Sequence, residues 1–188
     1  MPVVSTVKMT ARQFLALGDN PPGVRLELVN GEVAVSPSPR PRHSYVFVEL
    51  LTLLRIYVGK NDLGRVMAEV DTMFGLHDVR QPDLIYFRKD RVHLIDLDHA
   101  LNAAPDLCVE IVSPSSRTID RVDKFEQYAA AGIAYYWIVD PANKVIEGYR
   151  LANGRYELSG SGRGTDEVTL LPFADLKIAL ADVWAPES

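Results

Sequence analysis

Three side chains, far apart along the sequence, have the types and settings that hydrolysis at phosphorus requires. Asp83 follows Gln81-Pro82 at the mouth of a predicted strand, and Glu110 lies inside another, Leu107-Cys108-Val109-Glu110-Ile111-Val112. Alternation sends Leu107, Val109 and Ile111 to one face and Asp106, Cys108, Glu110 and Val112 to the other. An ionised carboxylate in so apolar a strand needs a cation or hydrogen bonds. Lys124 stands on the predicted helix that follows. At about 100° per residue, Ile119, Val122, Phe125 and Ala129 form that helix's apolar stripe, with Tyr128 on its edge. Lys124 projects just beyond Tyr128, where it can snorkel over the core edge toward Glu110. Each residue alone has a plainer reading: Glu110 as a buried acid satisfied by an arginine or by backbone donors, and Lys124 as a solvated lysine paired at i−4 with Asp120. Together, Asp83, Glu110 and the carbonyl of Ile111 offer hard oxygen ligands to Mg²⁺ or Mn²⁺, and Lys124 is placed to orient or help deprotonate a water beside the ion. The chemistry expected is phosphodiester hydrolysis by metal-activated water.

The elements that must position these groups follow from apolar spacing and turn residues. Residues 10–17 read as a short amphipathic helix opened by Thr10 and closed by Gly18. Strands at 25–29 and 32–35 flank Asn30-Gly31, a strong hairpin signal because both residues tolerate positive φ. Three prolines within residues 36–41 exclude helix or central strand there. From His43 to about Val58, apolar residues recur at spacings of three and four, which predicts a long helix packed on a core. Residues 66–74 and 83–87 read as strands separated by a connection at 75–82. A strand at 106–112 precedes a helix from about 119 to 131, stopped by Gly132. Strands at 135–139, 145–149 and 155–158 follow, and the tail from 168 to 183 is mostly strand-like. This order predicts an α/β domain whose mixed central sheet contains strands 83–87, 106–112 and 135–139 flanked by two main helices, with an N-terminal helix and hairpin. One domain over residues 1–188 is expected, with a core at about 24–158 and a strand-rich extension at about 165–188.

Composition sets further bounds. Hydrophobic residues make up 47% and charged residues 24% of the 188, which supports a sizeable core and excludes general disorder. The longest apolar runs fall short of the roughly 18 residues a membrane span needs. A soluble protein with no membrane partner is expected. Residues 1–8 carry no basic-then-apolar leader, and the single cysteine, Cys108, excludes an internal disulfide framework and cysteine-rich zinc sites; a cytoplasmic setting is expected. The net charge of −5 argues against a protein that coats nucleic acid by bulk electrostatics, so a polyanion partner needs a local basic surface or a metal.

Other residues carry weaker signals. Glu27 shares a hairpin face with Arg25 and Val29, and is either a solvated glutamate, a further metal ligand or a brace for Lys124. His43 opens the long helix after Arg40 and Arg42, where a helix N-terminus and cationic groups can grip a phosphate or simply meet solvent. Arg117 and Arg121 precede Lys124 and are the next candidate phosphate contacts. His77-Asp78 resembles a metal-binding pair but sits between strands, without the long helices that such chemistry uses. Cys108 is expected to be buried and inert, and Tyr135-Tyr136-Trp137 reads as core packing because no basic residues interleave it.

Several segments together resemble one family. Gln81-Pro82-Asp83-Leu84, the run from Pro105 through Glu110 to Ser116, the run Asp120-Arg121-Val122-Asp123-Lys124-Phe125-Glu126-Gln127-Tyr128 and the run Gly132-Ile133-Ala134-Tyr135-Tyr136-Trp137-Ile138-Val139-Asp140-Pro141 are similar to the Uma-type restriction endonucleases of the PD-(D/E)XK nuclease superfamily. Leu26-Glu27-Leu28-Val29-Asn30-Gly31-Glu32 and the helix opened by His43 extend the likeness over most of residues 10–158. The resemblance implies a restriction-endonuclease-like core, a divalent metal and DNA as substrate. It also implies Asp83 as the first acid, Glu110 as the second, Lys124 as the lysine supplied from the helix and Glu27 as an additional acid. One position departs from the superfamily pattern: Val112 stands two residues after the second acid, where a lysine is usual. Catalysis therefore depends on Lys124 arriving from another element. A homodimer is expected from fold analogy, because cutting both strands needs two sites. The alternatives are a catalytically inactive module that binds protein or nucleic acid, and a metal phosphoesterase acting on small nucleotides.

Overall fold

The computed structural model describes residues 8–18, 20–22, 24–36, 38–113 and 122–186. Arg117, Asp120 and Arg121 lie outside the described residues.

Helix α1 (Ala11–Leu15) is short because it is held at one end by a capping box: the Gln13 amide donates to the Thr10 hydroxyl while the Thr10 amide donates to the Gln13 side chain. Strands β1 (Arg25–Val29) and β2 (Glu32–Ser36) form the expected hairpin, turned by Asn30 at φ 51° and Gly31 at φ 82°. Helix α2 (Pro41–Lys60) begins on a proline, whose missing N–H costs nothing in the first turn, and buries Val46, Leu50, Leu54 and Val58. Strands β3 (Gly64–Ala68), β4 (Thr72–Gly75), β5 (Asp78–Arg80) and β6 (Leu84–Arg88) follow. After a 3₁₀ segment at Lys89–Leu94 come β7 (Leu107–Ile111), α3 (Lys124–Ala130) and β8 (Tyr135–Asp140). The long hairpin β9 (Val145–Ala152) and β10 (Arg155–Arg163) leads to β11 (Glu167–Val168), β12 (Ile178–Ala179) and α4 (Leu180–Val183).

The central sheet runs β10-β9-β8-β7-β6-β3, antiparallel throughout except for the parallel pair β7 and β8, so it is mixed as expected. Its parallel step is the one that carries α3 across the sheet, as a crossover requires. The alternation read in β7 holds. Leu107, Val109 and Ile111 pack with α2, whereas Cys108 and Val112 pack with Tyr128, Ile133 and Tyr136 on the α3 side. A second sheet, β2-β1-β5-β4, stands on its own small cluster of Ala11, Phe14, Leu28 and Val79.

Four expectations need correction. Residues 66–74 form two strands in different sheets, because Glu69 adopts φ 52° and turns the chain between them; a run without glycine or proline gives no sign of this. The stretch read as a connection at 75–82 contains β5, only three residues long, which gains its place by pairing with both β1 and β4. Val122, assigned to the apolar stripe, is exposed. The tail is less strand-like than its sequence, with two-residue strands and a helical turn. Leu170, Phe173, Leu176, Leu180 and Trp184 nevertheless sink into the same cluster as α2 and the sheet. Among the described residues, no helix is long and apolar enough to cross a membrane.

Candidate active site

The register of the central sheet places the two acids. β6 and β7 pair Leu84 with Val109, Ile85 with Cys108 and Tyr86 with Leu107. Carried one residue further, the ladder sets Asp83 opposite Glu110, on the α3 side. Like charges facing each other across strands repel, so the pair survives only with cations, and the fold supplies them.

Glu110 is satisfied from α3. Its Oε2 lies 2.8 Å from Lys124 Nζ, and its Oε1 accepts a 2.6 Å hydrogen bond from the Tyr128 hydroxyl. Lys124 and Tyr128 are one helical turn apart and share a face. The Lys124 side chain is only 8% exposed, so the solvated reading fails. Burial, reinforced by the Glu110 charge, pushes the Tyr128 hydroxyl well above its ordinary pKa and keeps it a donor. Val112, at the superfamily's usual lysine position, is buried in the apolar cluster, and the ammonium reaches Glu110 from the helix instead.

Asp83 is held differently. Its Oδ2 accepts the Ile111 amide at 2.7 Å and lies 3.3 Å from His43 Nε2, while its Oδ1 is 3.4 Å from Arg25 Nη1. Burial works to raise its pKa, but His43, Arg25 and Lys124 outweigh that and hold it below the ordinary carboxylate value. His43 responds in kind: burial lowers its pKa, yet the hydrogen bond and charge of Asp83 leave it raised. Arg42, next to it, is exposed on the first turn of α2.

Glu27 is buried, at 4% exposure, which overturns its reading as a solvated hairpin glutamate. β1 is an inner strand, covered by β2 on one side and β5 on the other, which the hairpin pattern alone does not reveal. Glu27 Oε2 meets Arg80 Nη1 at 3.1 Å, Oε1 accepts the Gln81 amide at 3.0 Å, and Arg25 Nη2 stands 3.8 Å from Oε1. Against burial, Lys124, Arg80, the Gln81 amide and Arg25 hold its pKa below the ordinary value. The influence of Lys124 on both Glu27 and Asp83 places the four predicted side chains in one electrostatic cluster.

Three members of that cluster were missed. Arg80, 3% exposed, binds Glu27 and donates from Nε to Gln127 Oε1 at 2.8 Å, which ties β5 to α3. Arg25 bridges Glu27 and Asp83. Its position two residues before Glu27, on the same strand face, was the available signal. Asp71, between β3 and β4, carries a buried Oδ1 without a hydrogen-bond partner, and its carboxyl is pushed up by burial, pulled back by Arg25 and raised again by Glu27. Its sequence setting gave no signal. His77 and Asp78 are tied to the backbone of Met9 and Asn30, away from this chemistry. Cys108 is buried with its thiol pushed well up, as an inert core cysteine should be.

The donor set fits a hard divalent ion. Asp83, Glu110 and the Ile111 carbonyl are oxygen donors, and the Ile111 amide is pinned to Asp83. Among the described residues, no group of three or more His, Cys, Asp or Glu side chains is close enough to enclose an ion by itself.

The family model Uma2, described as "Putative restriction endonuclease", matches residues 11–181, and the chain belongs to this family. In fold it is similar to the crystal structure of a protein from Anabaena variabilis described as a "putative nuclease belonging to DUF820", with a TM-score of 0.75 and 22% identity over 93% of this chain and 97% of that one. No curated protein matches.

Proposed function

We propose that this chain is an endonuclease that hydrolyses DNA phosphodiester bonds with Mg²⁺ or Mn²⁺, using Asp83, Glu110 and the Ile111 carbonyl as the metal-holding set. The observation that carries this reading is the 2.8 Å contact between Lys124 and Glu110, beside a strand register that sets Asp83 opposite Glu110. When bound, the ion supplies Lewis acidity at the phosphate and lowers the pKa of water. As the ammonium partner of Glu110, Lys124 orients the attacking water and offsets charge developing on the phosphoryl oxygens. Glu27 positions Lys124 electrostatically, and is itself fixed by Arg80 and the Gln81 amide. His43 and Arg42, on the first turn of α2, offer positive charge and a helix N-terminus to a DNA phosphate, with Arg117 and Arg121 as further contacts from the segment before α3. With a net charge of −5, such local contacts must supply the attraction. Two sites for two strands favour a homodimer, and a lone buried cysteine suits a cytoplasmic setting.

The test is cleavage of supercoiled and linear DNA in Mg²⁺ or Mn²⁺ by the wild type and by Asp83→Ala, Glu110→Ala and Lys124→Ala, each checked for folding. Cleavage lost in all three folded variants supports the reading. Wild-type silence with intact metal binding would show the inactive binding module instead. Faster hydrolysis of a model nucleotide ester than of DNA would show a small-nucleotide phosphoesterase. Sedimentation of the wild type checks the dimer.

A further inference from the structure

Asp83 presents two oxygens with different duties. Oδ2 is committed to the Ile111 amide at 2.7 Å and to His43, whereas Oδ1 faces only Arg25, at 3.4 Å. The other arm of the same guanidinium points at Glu27, at 3.8 Å, and its charge is felt by Glu110. Arg25 thus touches Asp83 and Glu27 and feels the charge of Glu110, two of which are the proposed metal-holding acids. Its contacts are long beside the roughly 2.7–2.9 Å of a good charge-assisted hydrogen bond. The seat is electrostatically favourable and geometrically loose. An ion that takes Asp83 Oδ1 must displace Arg25.

Asp71 offers that guanidinium a second carboxylate within electrostatic reach. Arg25 Nε is buried and has no partner; Asp71 Oδ1 is buried and has none either. Buried polar atoms are rarely left so, and here an unmet donor and an unmet acceptor belong to two side chains that feel each other's charge. Asp71 is on a fixed backbone, its carbonyl accepting the Leu101 amide at 2.8 Å. Arg25 is the first residue of β1, and its long side chain can swing while the strand stays paired.

We infer that Arg25 occupies the divalent-cation position in the metal-free protein and moves its guanidinium to Asp71 when the ion enters. Arg25 is then an internal competitor of the metal, and Asp71 a positioning residue that acts through Arg25. The exchange keeps the acids compensated in both states, since a bare cluster of carboxylates in this setting would be strongly unfavourable. The inference rests on the metal-dependent reading above.

Isothermal titration with MgCl₂ and MnCl₂ alone, without DNA, tests it, with thermal melts of the metal-free proteins alongside. Arg25→Met is expected to bind either ion about tenfold more tightly than wild type, because the competing charge is gone. Asp71→Asn is expected to bind about fivefold more weakly, with a metal-free melting temperature no lower than wild type, since it removes a buried charge rather than a contact. In the Arg25→Met background the Asp71→Asn change should have no effect on affinity, which is the coupling a double-mutant cycle isolates. Equal or weaker binding by Arg25→Met overturns the inference, as does an Asp71→Asn effect that persists without Arg25, because Asp71 would then be a ligand. If Arg25→Met does not fold, Arg25→Gln, which keeps a polar side chain and removes the charge, should still bind more tightly than wild type, and wild-type affinity there is equally fatal. Absence of binding to wild type and to every Arg25 variant overturns the metal-dependent reading itself.

Discussion

The two acids of the central sheet face each other but live in different company. Around Glu110 the contacts to α3 are short and internal, 2.8 Å to Lys124 and 2.6 Å to Tyr128, in a wall of buried aromatics. Around Asp83 the side-chain contacts run from 3.3 to 3.4 Å, and two neighbours, Arg25 and His43, keep buried nitrogens without partners. The difference teaches that one half of the cluster is closely bonded on folding and the other is loosely held, and the proposed entry of an ion would draw on that looseness. Tyr128 and Lys124 come from a helix that packs its own core. His43 and Arg25 come from the ends of α2 and β1.

The sharpest way to break this comparison is to remove one cation from each half. Lys124→Met leaves Glu110 buried and uncompensated and should cost about 3–5 kcal/mol of stability in urea denaturation. Arg25→Met, whose guanidinium is loosely seated and partly exposed, should cost about 1–2 kcal/mol. A reversal of that order would sink the distinction. Next in size, Asp83→Asn should lower DNA cleavage about 10²–10³-fold in a kinetic assay while the fold survives, the size of loss that follows removal of one electrostatic group at a reaction centre. Tyr128→Phe takes one hydrogen bond from the Glu110 carboxylate and should cost about 1.5–3 kcal/mol, read in the same urea denaturation.

Stability against pH separates the same halves. Glu27 and Asp83 have depressed pKa values, so their contribution is complete above their ordinary values of 4.5 and 3.8 and is lost as pH falls through the lowered ones. His43 has a raised pKa, so its contribution is complete below the ordinary 6.5 and is lost as pH rises through the raised value. Urea midpoints across this range should fall on both sides, and Asp83→Asn should flatten the alkaline side, whereas Tyr128→Phe should leave it unchanged. The smallest effect is expected from Arg42→Ala, which should weaken DNA binding uniformly across sequences and reduce its dependence on salt by about one phosphate contact.

Much of this was readable before any coordinates. Period-2 alternation put Glu110 on the face opposite Val109, and helical spacing put Lys124 beside Tyr128; both hold because each element buries one face. What could not be read was set by tertiary pairing. β5 has three residues and no periodicity of its own, so Arg80 and its link to Gln127 were invisible. The burial of Glu27 stayed open among three readings because a hairpin looks two-sided until β5 covers β1. Asp71 follows a turn made by Glu69 in a positive-φ conformation that is uncommon for a non-glycine residue, which local propensity does not announce.

The ladder that sets Asp83 against Glu110 also says where this chain can tolerate insertions. A slip of one residue between β6 and β7 would carry Glu110 to the α2 side, out of reach of Lys124, so neither strand can gain or lose a residue without dismantling the pocket. Between them, Leu101 and Asp106 are buried and bonded to the rest of the fold, but residues 96–99 are exposed and only have to carry the chain on to Leu101. Length variation among descendants of this sequence belongs there.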